Sequence, residues 1–291
     1  MIMGRVNFTV LHSTEYEMPA IRHIWKTVFG NVEEENAFFN HYFDHGSCAV
    51  VKCENTPASA GHLFHVGDLV CGGSIYPCSM IYAVATLPQF RNRGFGAAVV
   101  RDLISFGRCA DKSAVVLCPS DDSLFEYYSA RTELHEFFYV MEQEYHNIPS
   151  NTADTTLSAV SADEYSRLRK NLLTGIPHIS LNLRALSYQN ILCGIYGGGM
   201  FRIETPEGTA CAVVEKQSGG IICVKELLTP CGCVSTPLSS IALAFPADKY
   251  IVRTPAHRSD TGASIRRFGM LSAEITSSPS DFAPWLGLAF D

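Results

Sequence analysis

Residues 80–97 read MIYAVATLPQFRNRGFGA. The apolar run Met80–Thr86 has the length and composition of a buried strand, and residues 97–107 have the apolar spacing of a helix. Between them lies a basic turn, residues 91–93, followed by Gly94 and Gly96. Glycine lets the backbone approach a ligand closely, and the first turn of a helix offers unpaired N–H groups at the positive end of its dipole. The segment therefore predicts a strand, an anion-binding turn and a helix.

A turn of this kind at the start of a helix is well suited to bind a pyrophosphate. A dinucleotide-binding fingerprint would need a third glycine where Val99 stands, and the Gly-Lys-Ser/Thr ending of a P-loop is absent from the sequence. An ordinary strand-to-helix turn would use glycines for tight packing but would not need Arg91 and Arg93. What remains is Arg-x-x-Gly-x-Gly, placed shortly after Val-Ala-Thr-x-Pro.

This pattern resembles the acyl-CoA signature of the GNAT N-acetyltransferase superfamily. The resemblance implies an acetyl-CoA site at the end of the strand and around the turn. Its expected members are Val84, Ala85, Thr86, Arg91, Asn92, Arg93, Gly94, Phe95, Gly96 and Ala97. It also implies that the strand splays from its neighbour here and offers a free backbone N–H to the thioester carbonyl.

A second match follows along the chain. Residues 114–118 are a short apolar strand, residues 119–122 are a proline-containing turn, and the next helix carries Tyr127 and Tyr128. GNAT enzymes often place an aromatic-Tyr pair on this helix, although the Gly-Phe that ends their motif is Thr132-Glu133 here. The resemblance implies that Tyr128 is catalytic and gives a proton to the leaving thiolate, with Tyr127 as the neighbouring alternative.

The general base is not identified by the sequence. The acidic run Glu33–Glu35 lies between the first two predicted helices, where the family places substrate loops. A solvated helix start explains the run more simply. His41 and His45 are four residues apart but have no third ligand nearby in the sequence, so we expect no bound metal. The pair Cys231-Gly-Cys233 is not a zinc ribbon, which needs two such pairs.

The order of predicted elements favours an α/β (α+β) chain with a mixed, mostly antiparallel sheet flanked by helices, as in the GNAT fold. We predict an acetyl-CoA-binding domain over residues 1–146, a polar linker over residues 147–156, and a degenerate GNAT-like domain over residues 157–291 that lacks the arginine-glycine turn. This arrangement resembles the two-domain, enhanced-intracellular-survival type of bacterial acetyltransferase. We expect the following elements: helices 18–28, 33–43, 97–107, 161–173 and 236–244, and strands 6–10, 48–53, 62–66, 68–71, 80–86, 114–118, 137–144, 200–204, 211–216, 221–228 and 250–253.

Composition narrows the class of protein. The chain has 291 residues, 47% of them apolar, and a net charge of −7, which argues against nucleic-acid binding. It contains no run long enough to cross a bilayer, and its 11 cysteines form no disulfide framework, so we expect a cytoplasmic protein that is not membrane-bound.

The sequence thus predicts an acetyl-CoA-dependent N-acetyltransferase that acts on a primary amine of a small molecule or on an exposed amino group of a peptide or protein. The alternative is a non-catalytic acyl-CoA-binding regulatory module. The acceptor, the acyl-chain length, the formation of a homo-oligomer, and the entry of the carboxyl terminus, Asp291, into the active site stay open.

Overall fold

A computed structural model of the chain describes residues 7–109, 113–149, 155–257, 264–275 and 280–290. The chain folds as two compact units that are interleaved in sequence. The first unit takes residues 1–66, 76–136 and 269–274, and the second takes residues 67–75, 137–268 and 275–291. The predicted domains were contiguous, whereas each observed unit borrows segments from the other half of the sequence.

The elements of the first half are β1 (Phe8–His12), α1 (Met18–Val28), α2 (Val32–His41), β2 (Cys48–Cys53), β3 (Thr56–Cys71), β4 (Ser74–Thr86), α3 (Phe95–Gly107), β5 (Ala114–Leu117), α4 (Asp122–Ser129) and β6 (His135–His146). Those of the second half are β7 (Thr156–Ala159), α5 (Ala162–Leu172), β8 (His178–Leu181), α6 (Leu183–Ile195), β9 (Gly199–Thr205), β10 (Gly208–Gln217), β11 (Ile221–Leu228), α7 (Ser235–Ala244), β12 (Lys249–Pro255) and β13 (Ile265–Ser272).

The sheet of the first unit runs β1-β2-β3-β4-β5 and is then extended by the end of β13. Strands β4 and β5 are parallel and are joined by α3, whereas β1–β2, β2–β3 and β5–β13 are antiparallel. Alternate residues of β2 face opposite layers, as strand geometry requires. Ala49 and Val51 belong to the core that holds α3 and α4, and Cys48 and Val50 belong to the core that holds α1. The mixed, mostly antiparallel α/β fold predicted from the sequence is confirmed.

The second unit repeats this plan. Its strands run β7-β9-β10-β11-β12, followed by β6. Strands β11 and β12 are parallel and joined by α7, as β4 and β5 are joined by α3. In each unit the strand beyond the parallel pair comes from the other half of the sequence: β13 completes the first unit and β6 completes the second.

Local sequence signals account for most elements. Helix α1 has Pro19 in its first turn, where a missing N–H costs nothing, and buries Ile21, Ile24 and Trp25 at helical spacing. Helix α5 starts after Ser161, whose hydroxyl accepts from the N–H of Glu164. The predicted bounds of α1, β2 and β11 are confirmed at both ends.

Other predictions were wrong at particular places. The first strand begins at Phe8 rather than residue 6, and the runs 62–66 and 68–71 are one strand, β3, which passes through Gly67 at φ 135°. Strand β7 starts inside the predicted linker at Thr156, and linker residues 150–154 lie outside the described residues. Strands β8 and β13 and helix α6 were not predicted. Helix α6 buries one face, but that face includes the polar Gln189 and the exposed side includes Leu183, so its sequence shows no clear apolar stripe.

A buried polar network holds the last described segment in the second unit. Glu226 on β11 accepts from Tyr165 Oη at 2.8 Å, Arg169 Nε at 2.9 Å and Trp285 Nε1 at 2.7 Å. Arg169 also donates to the carbonyl oxygen of Leu286 at 3.4 Å. All of these side chains are buried, and a buried ion pair is stable only when its remaining donors and acceptors are satisfied, as they are here. Residues 283–290 are buried with them. Asp291 lies outside the described residues.

No helix in the described part of the chain has both the length and the apolar content needed to cross a membrane.

Candidate functional site

The candidate site begins where β4 and β5 separate. The two strands pair in parallel from Cys78–Ala114 to Ile81–Leu117, and β5 ends there while β4 continues to Thr86. Just beyond the last pair, Ala83 adopts a left-handed φ of 50°. This conformation costs a non-glycine residue about 1–2 kcal/mol and is characteristic of functional sites. The strand is therefore distorted where it leaves its neighbour, and residues 82–84 are partly exposed.

The turn after β4 presents its backbone at the start of α3. Asn92 and Gly94 both have left-handed backbones, with φ of 62° and 81°, and Gly94 is the N-cap of α3 without a side-chain cap. The first-turn N–H groups of α3 are thus left for a ligand, and the helix dipole favours an anion. Arg91 and Arg93 are exposed beside them. Arg91 Nε lies 3.3 Å from the carbonyl oxygen of Thr86, which ties the turn back to the end of β4.

Gly96 lies at the meeting point of three elements. A Cβ atom added to it would lie 3.7 Å from Thr86 Oγ1, 3.9 Å from Tyr127 Oη and 3.9 Å from Val84 Cγ1. The structure therefore brings together the end of β4, the start of α3 and the helix α4. These residues fit a pyrophosphate for two reasons. Gly94 and Gly96 carry no side chain that would cover the backbone N–H groups, and the guanidinium groups of Arg91 and Arg93 lie beside them.

The two tyrosines of α4 occupy different environments. Tyr127 is partly exposed, and the guanidinium of Arg131 lies 4.5 Å from its ring centroid. Tyr128 is buried in the core cluster that also contains Ile81 and Leu117, the last pair of β4 and β5. Burial raises the pKa of the Tyr128 hydroxyl well above its usual range, with smaller effects from Tyr127 and Asp121. Tyr128 therefore keeps its proton at neutral pH.

The opposite face of β4 carries an aromatic cluster that the sequence did not predict. Tyr82 lies with its ring centroid 5.4 Å from that of Phe38 and 6.0 Å from that of Trp25. His62 packs 4.7 Å from Phe38, and burial lowers the pKa of its imidazole to about 3. His62 is therefore neutral and packs like an apolar residue. Nothing in the sequence marks it as buried except the alternation of side chains along β3.

The acidic run before α2 divides between two roles. Asn31 caps the helix by accepting from the N–H groups of Glu33 and Glu34, and Glu35 is buried in an ion pair with Arg22 at 2.8 Å. Glu33 and Glu34 thus lie at a helix start, as the simpler explanation had it, whereas Glu35 is buried rather than solvated. His41 and His45 do not gather a ligand set, since within the described residues no group of three or more His, Cys, Asp or Glu side chains is arranged to hold a metal ion.

A cavity of about 600 Å³ opens between the far ends of α3 and α4, away from the turn at residues 91–96. Its arginines already have partners: Arg101 Nη1 donates to the carbonyl of Arg131 at 2.9 Å, and Arg108 pairs with Glu133 at 3.3 Å. Arg101 thus binds the backbone just after α4 and Arg108 is paired with a carboxylate, so both side chains are already engaged.

Comparison with known proteins agrees with this geometry. Residues 9–131 match the family described as an acetyltransferase (GNAT) domain. Among curated proteins, none matches the chain. A GCN5-related N-acetyltransferase from Kribbella flavida has a similar structure, with a TM-score of 0.66, 12% identity, and coverage of 92% of this chain and 71% of that one.

Eis1 from Mycobacterium abscessus is also similar, with a TM-score of 0.61, 10% identity, and coverage of 92% of this chain and 73% of that one. Saccharomyces cerevisiae N-myristoyltransferase, solved with bound myristoyl-CoA, reaches a TM-score of 0.55 at 9% identity, with coverage of 91% of this chain and 82% of that one. At these identities the structures show a likeness of fold alone. Residues 9–131, less than half of the chain, are thus similar to the acetyltransferase (GNAT) domain.

Proposed function

We propose that this protein transfers an acetyl group from acetyl-CoA to a primary amine, either of a small molecule or of an exposed amino group, by direct attack of the amine on the thioester. The observation that carries the proposal is the convergence of Val84, Thr86 and Tyr127 on Gly96, at the uncapped start of α3. A bare helix start beside the separating ends of two parallel strands suits a ligand with a pyrophosphate at one end and a thioester at the other.

Each part of the site has a separate task in this proposal. The backbone of residues 91–97 and the two arginines bind the pyrophosphate, and Val84, Ala85 and Thr86 line the arm that leads to the thioester. A backbone N–H at the distorted part of β4, near Ala83, donates to the carbonyl oxygen as negative charge develops there. The distortion lies one residue before the segment that the sequence suggested, because a left-handed alanine has no signature in sequence.

Tyr128 is the proposed proton donor to the departing thiolate. Its hydroxyl is protonated and available as a donor, although burial raises its pKa and makes it a weaker acid than an exposed tyrosine. It also shares a core cluster with Ile81 and Leu117, where the strands separate. Tyr127, with its hydroxyl near Gly96, is better placed to contact the pantetheine arm or the phosphates.

The experiment separates binding from turnover. Calorimetry should show acetyl-CoA binding to the wild-type chain and none to Gly94→Asp or Gly96→Asp, because each places a carboxylate where phosphate oxygens belong. Gly219→Asp is the matched control, since Gly219 has a similar φ of 76° and equally open surroundings but lies in a remote hairpin. Unchanged affinity in both loop variants would place the site elsewhere.

Turnover is measured as free CoA thiol released in the presence of a panel of primary amines, with acetyl-CoA and a long-chain acyl-CoA as donors. Release that depends on the amine supports the proposed transferase. Binding without release from any amine would instead support the alternative, a non-catalytic acyl-CoA-binding regulatory module.

A further inference from the structure

The turn between β11 and α7 carries two cysteines, Cys231 and Cys233, on either side of Gly232. This turn has the same place in β11–α7–β12 that the arginine-glycine turn has in β4–α3–β5. It contains no arginine, so the feature that would attract a phosphate is missing. The chemistry that it offers instead is that of two neighbouring thiols.

Both thiols are accessible. Seven of the eleven cysteines are buried, whereas Cys231 is exposed and Cys233 is partly exposed. The other two accessible cysteines, Cys109 and Cys118, follow different elements, α3 and β5. A reagent in solution can therefore reach the paired thiols together.

The backbone brings the pair within bridging range. Residues two apart in sequence have Cα atoms separated by no more than about 7 Å, which is the upper limit for a disulfide. Here the chain bends through residues 230–232, and Gly232 has a left-handed φ of 74°. Bending shortens the Cα separation below the extended limit, and glycine adopts this conformation without strain.

Cys233 is the more nucleophilic of the two. Helix α7 has Val234 as its N-cap with no side-chain cap, and Cys233 Sγ lies 3.3 Å from Ser235 Oγ. The Ser235 hydroxyl, helped by the backbone N–H of Thr236, holds the pKa of the Cys233 thiol below its usual range. In contrast, burial raises the pKa of the Cys48 thiol to about 12. The thiolate is the reactive form of cysteine, so Cys233 is primed and the core cysteines are inert.

We propose that Cys233 and Cys231 form a reversible redox dithiol that is oxidised by a hydroperoxide. The Cys233 thiolate attacks a peroxide oxygen; an S–O bond forms, the O–O bond breaks, and the leaving alkoxide or hydroxide takes up a proton to give an alcohol or water. The Cys231 sulfur then attacks the sulfenic acid; an S–S bond forms, the S–O bond breaks, and the hydroxide leaves as water with the thiol proton. Two thiols are oxidised by two electrons and one peroxide is reduced.

The test uses the full chain and hydrogen peroxide. We expect one disulfide within the tryptic peptide that holds both cysteines, detected as the loss of two hydrogen atoms and reversed by dithiothreitol. In Cys231→Ser the sulfenic acid at Cys233 should persist and be trapped by dimedone, and in Cys233→Ser Cys231 should form no disulfide. Alkylation of Cys233 by iodoacetamide should be severalfold faster than that of Cys109, because reactivity follows the thiolate fraction.

Two further variants complete the design. The double variant Cys109→Ser/Cys118→Ser should form the disulfide as the wild type does. Ser235→Ala should slow the alkylation of Cys233 severalfold while the protein stays folded, because it removes the hydroxyl that stabilises the thiolate. Equal reactivity of Cys233 and Cys109, or peroxide oxidation that leaves Cys231 and Cys233 unlinked in the wild type, would overturn the proposal.

Discussion

Gly61→Ala tests how closely α3 must pack on the sheet. Gly61 lies on β3 opposite Ala49, where α3 crosses the sheet. An added Cβ would lie 2.7 Å from Val99 Cγ1 on α3 and 3.1 Å from Val84 Cγ2 on β4. Since carbon atoms pack best at about 3.5–4.0 Å, the helix must move by about 1 Å or the valines must leave their rotamers.

The expected cost is the cost of overpacking, about 1–3 kcal/mol of the free energy of unfolding. A matched second change removes the clash. Val99→Ala alone should cost about 2 kcal/mol for the lost methyl groups and the cavity. In the double variant the methyl group introduced by Gly61→Ala fills part of the space left by the Val99 methyls. The free energy of unfolding lost in the double variant should therefore be smaller than the sum of the two single losses by about 1 kcal/mol or more.

Urea denaturation of the wild type, the two single variants and the double variant gives this coupling energy. Gly194→Ala serves as the control for the glycine-to-alanine change itself, because nothing lies within 4 Å of its added Cβ and it should be neutral or slightly stabilising. Strictly additive losses would refute the packing argument. Calorimetry of Gly61→Ala with acetyl-CoA should show weaker binding, because Val84 and the start of α3 are displaced together.

Two other outcomes are expected. Tyr128→Phe should lower the turnover number by about a hundredfold or more with acetyl-CoA affinity near that of the wild type; a loss confined to Tyr127→Phe would transfer the proton-donating role to that residue. Gly287→Ala should destabilise the second unit by about 2–5 kcal/mol in urea denaturation, because alanine is strained at its φ of 77° and its Cβ would collide with Glu226 Oε2. Gly220→Ala has the same strain, with φ of 71°, but open space, so equal losses in the two variants would contradict the packing of residues 283–290.

The sequence predicts well where a local pattern and the tertiary structure agree. The turn at residues 91–96 can be predicted because its glycines indicate the backbone conformation and its arginines indicate the charge at that point. Strand β11 and helix α1 are legible because their apolar residues follow strand and helix periods. In these segments the nearest neighbours in sequence decide the conformation.

The sequence predicts poorly where a distant segment decides. The left-handed Ala83 is held by the separation of β4 from β5 and not by its own preference. Helix α6 buries the polar Gln189 and exposes the apolar Leu183, so its apolar residues do not reveal its period. The aromatic cluster around His62 gathers residues from α1, α2, β3 and β4, so no single window of sequence contains it.

The exchange of β6 and β13 between the units has a consequence for how the chain is made. Leu117 on β5 pairs with Met270 on β13, so a core contact of the first unit spans about 150 residues. During synthesis on the ribosome, the first unit must wait with an open sheet edge until residues 270–272 of β13 have emerged. A fragment that ends in the segment between the halves would leave that edge of the first unit unpaired and prone to self-association, and the second half alone would lack β6 in the same way. Neither half of the sequence alone therefore completes the sheet of its unit.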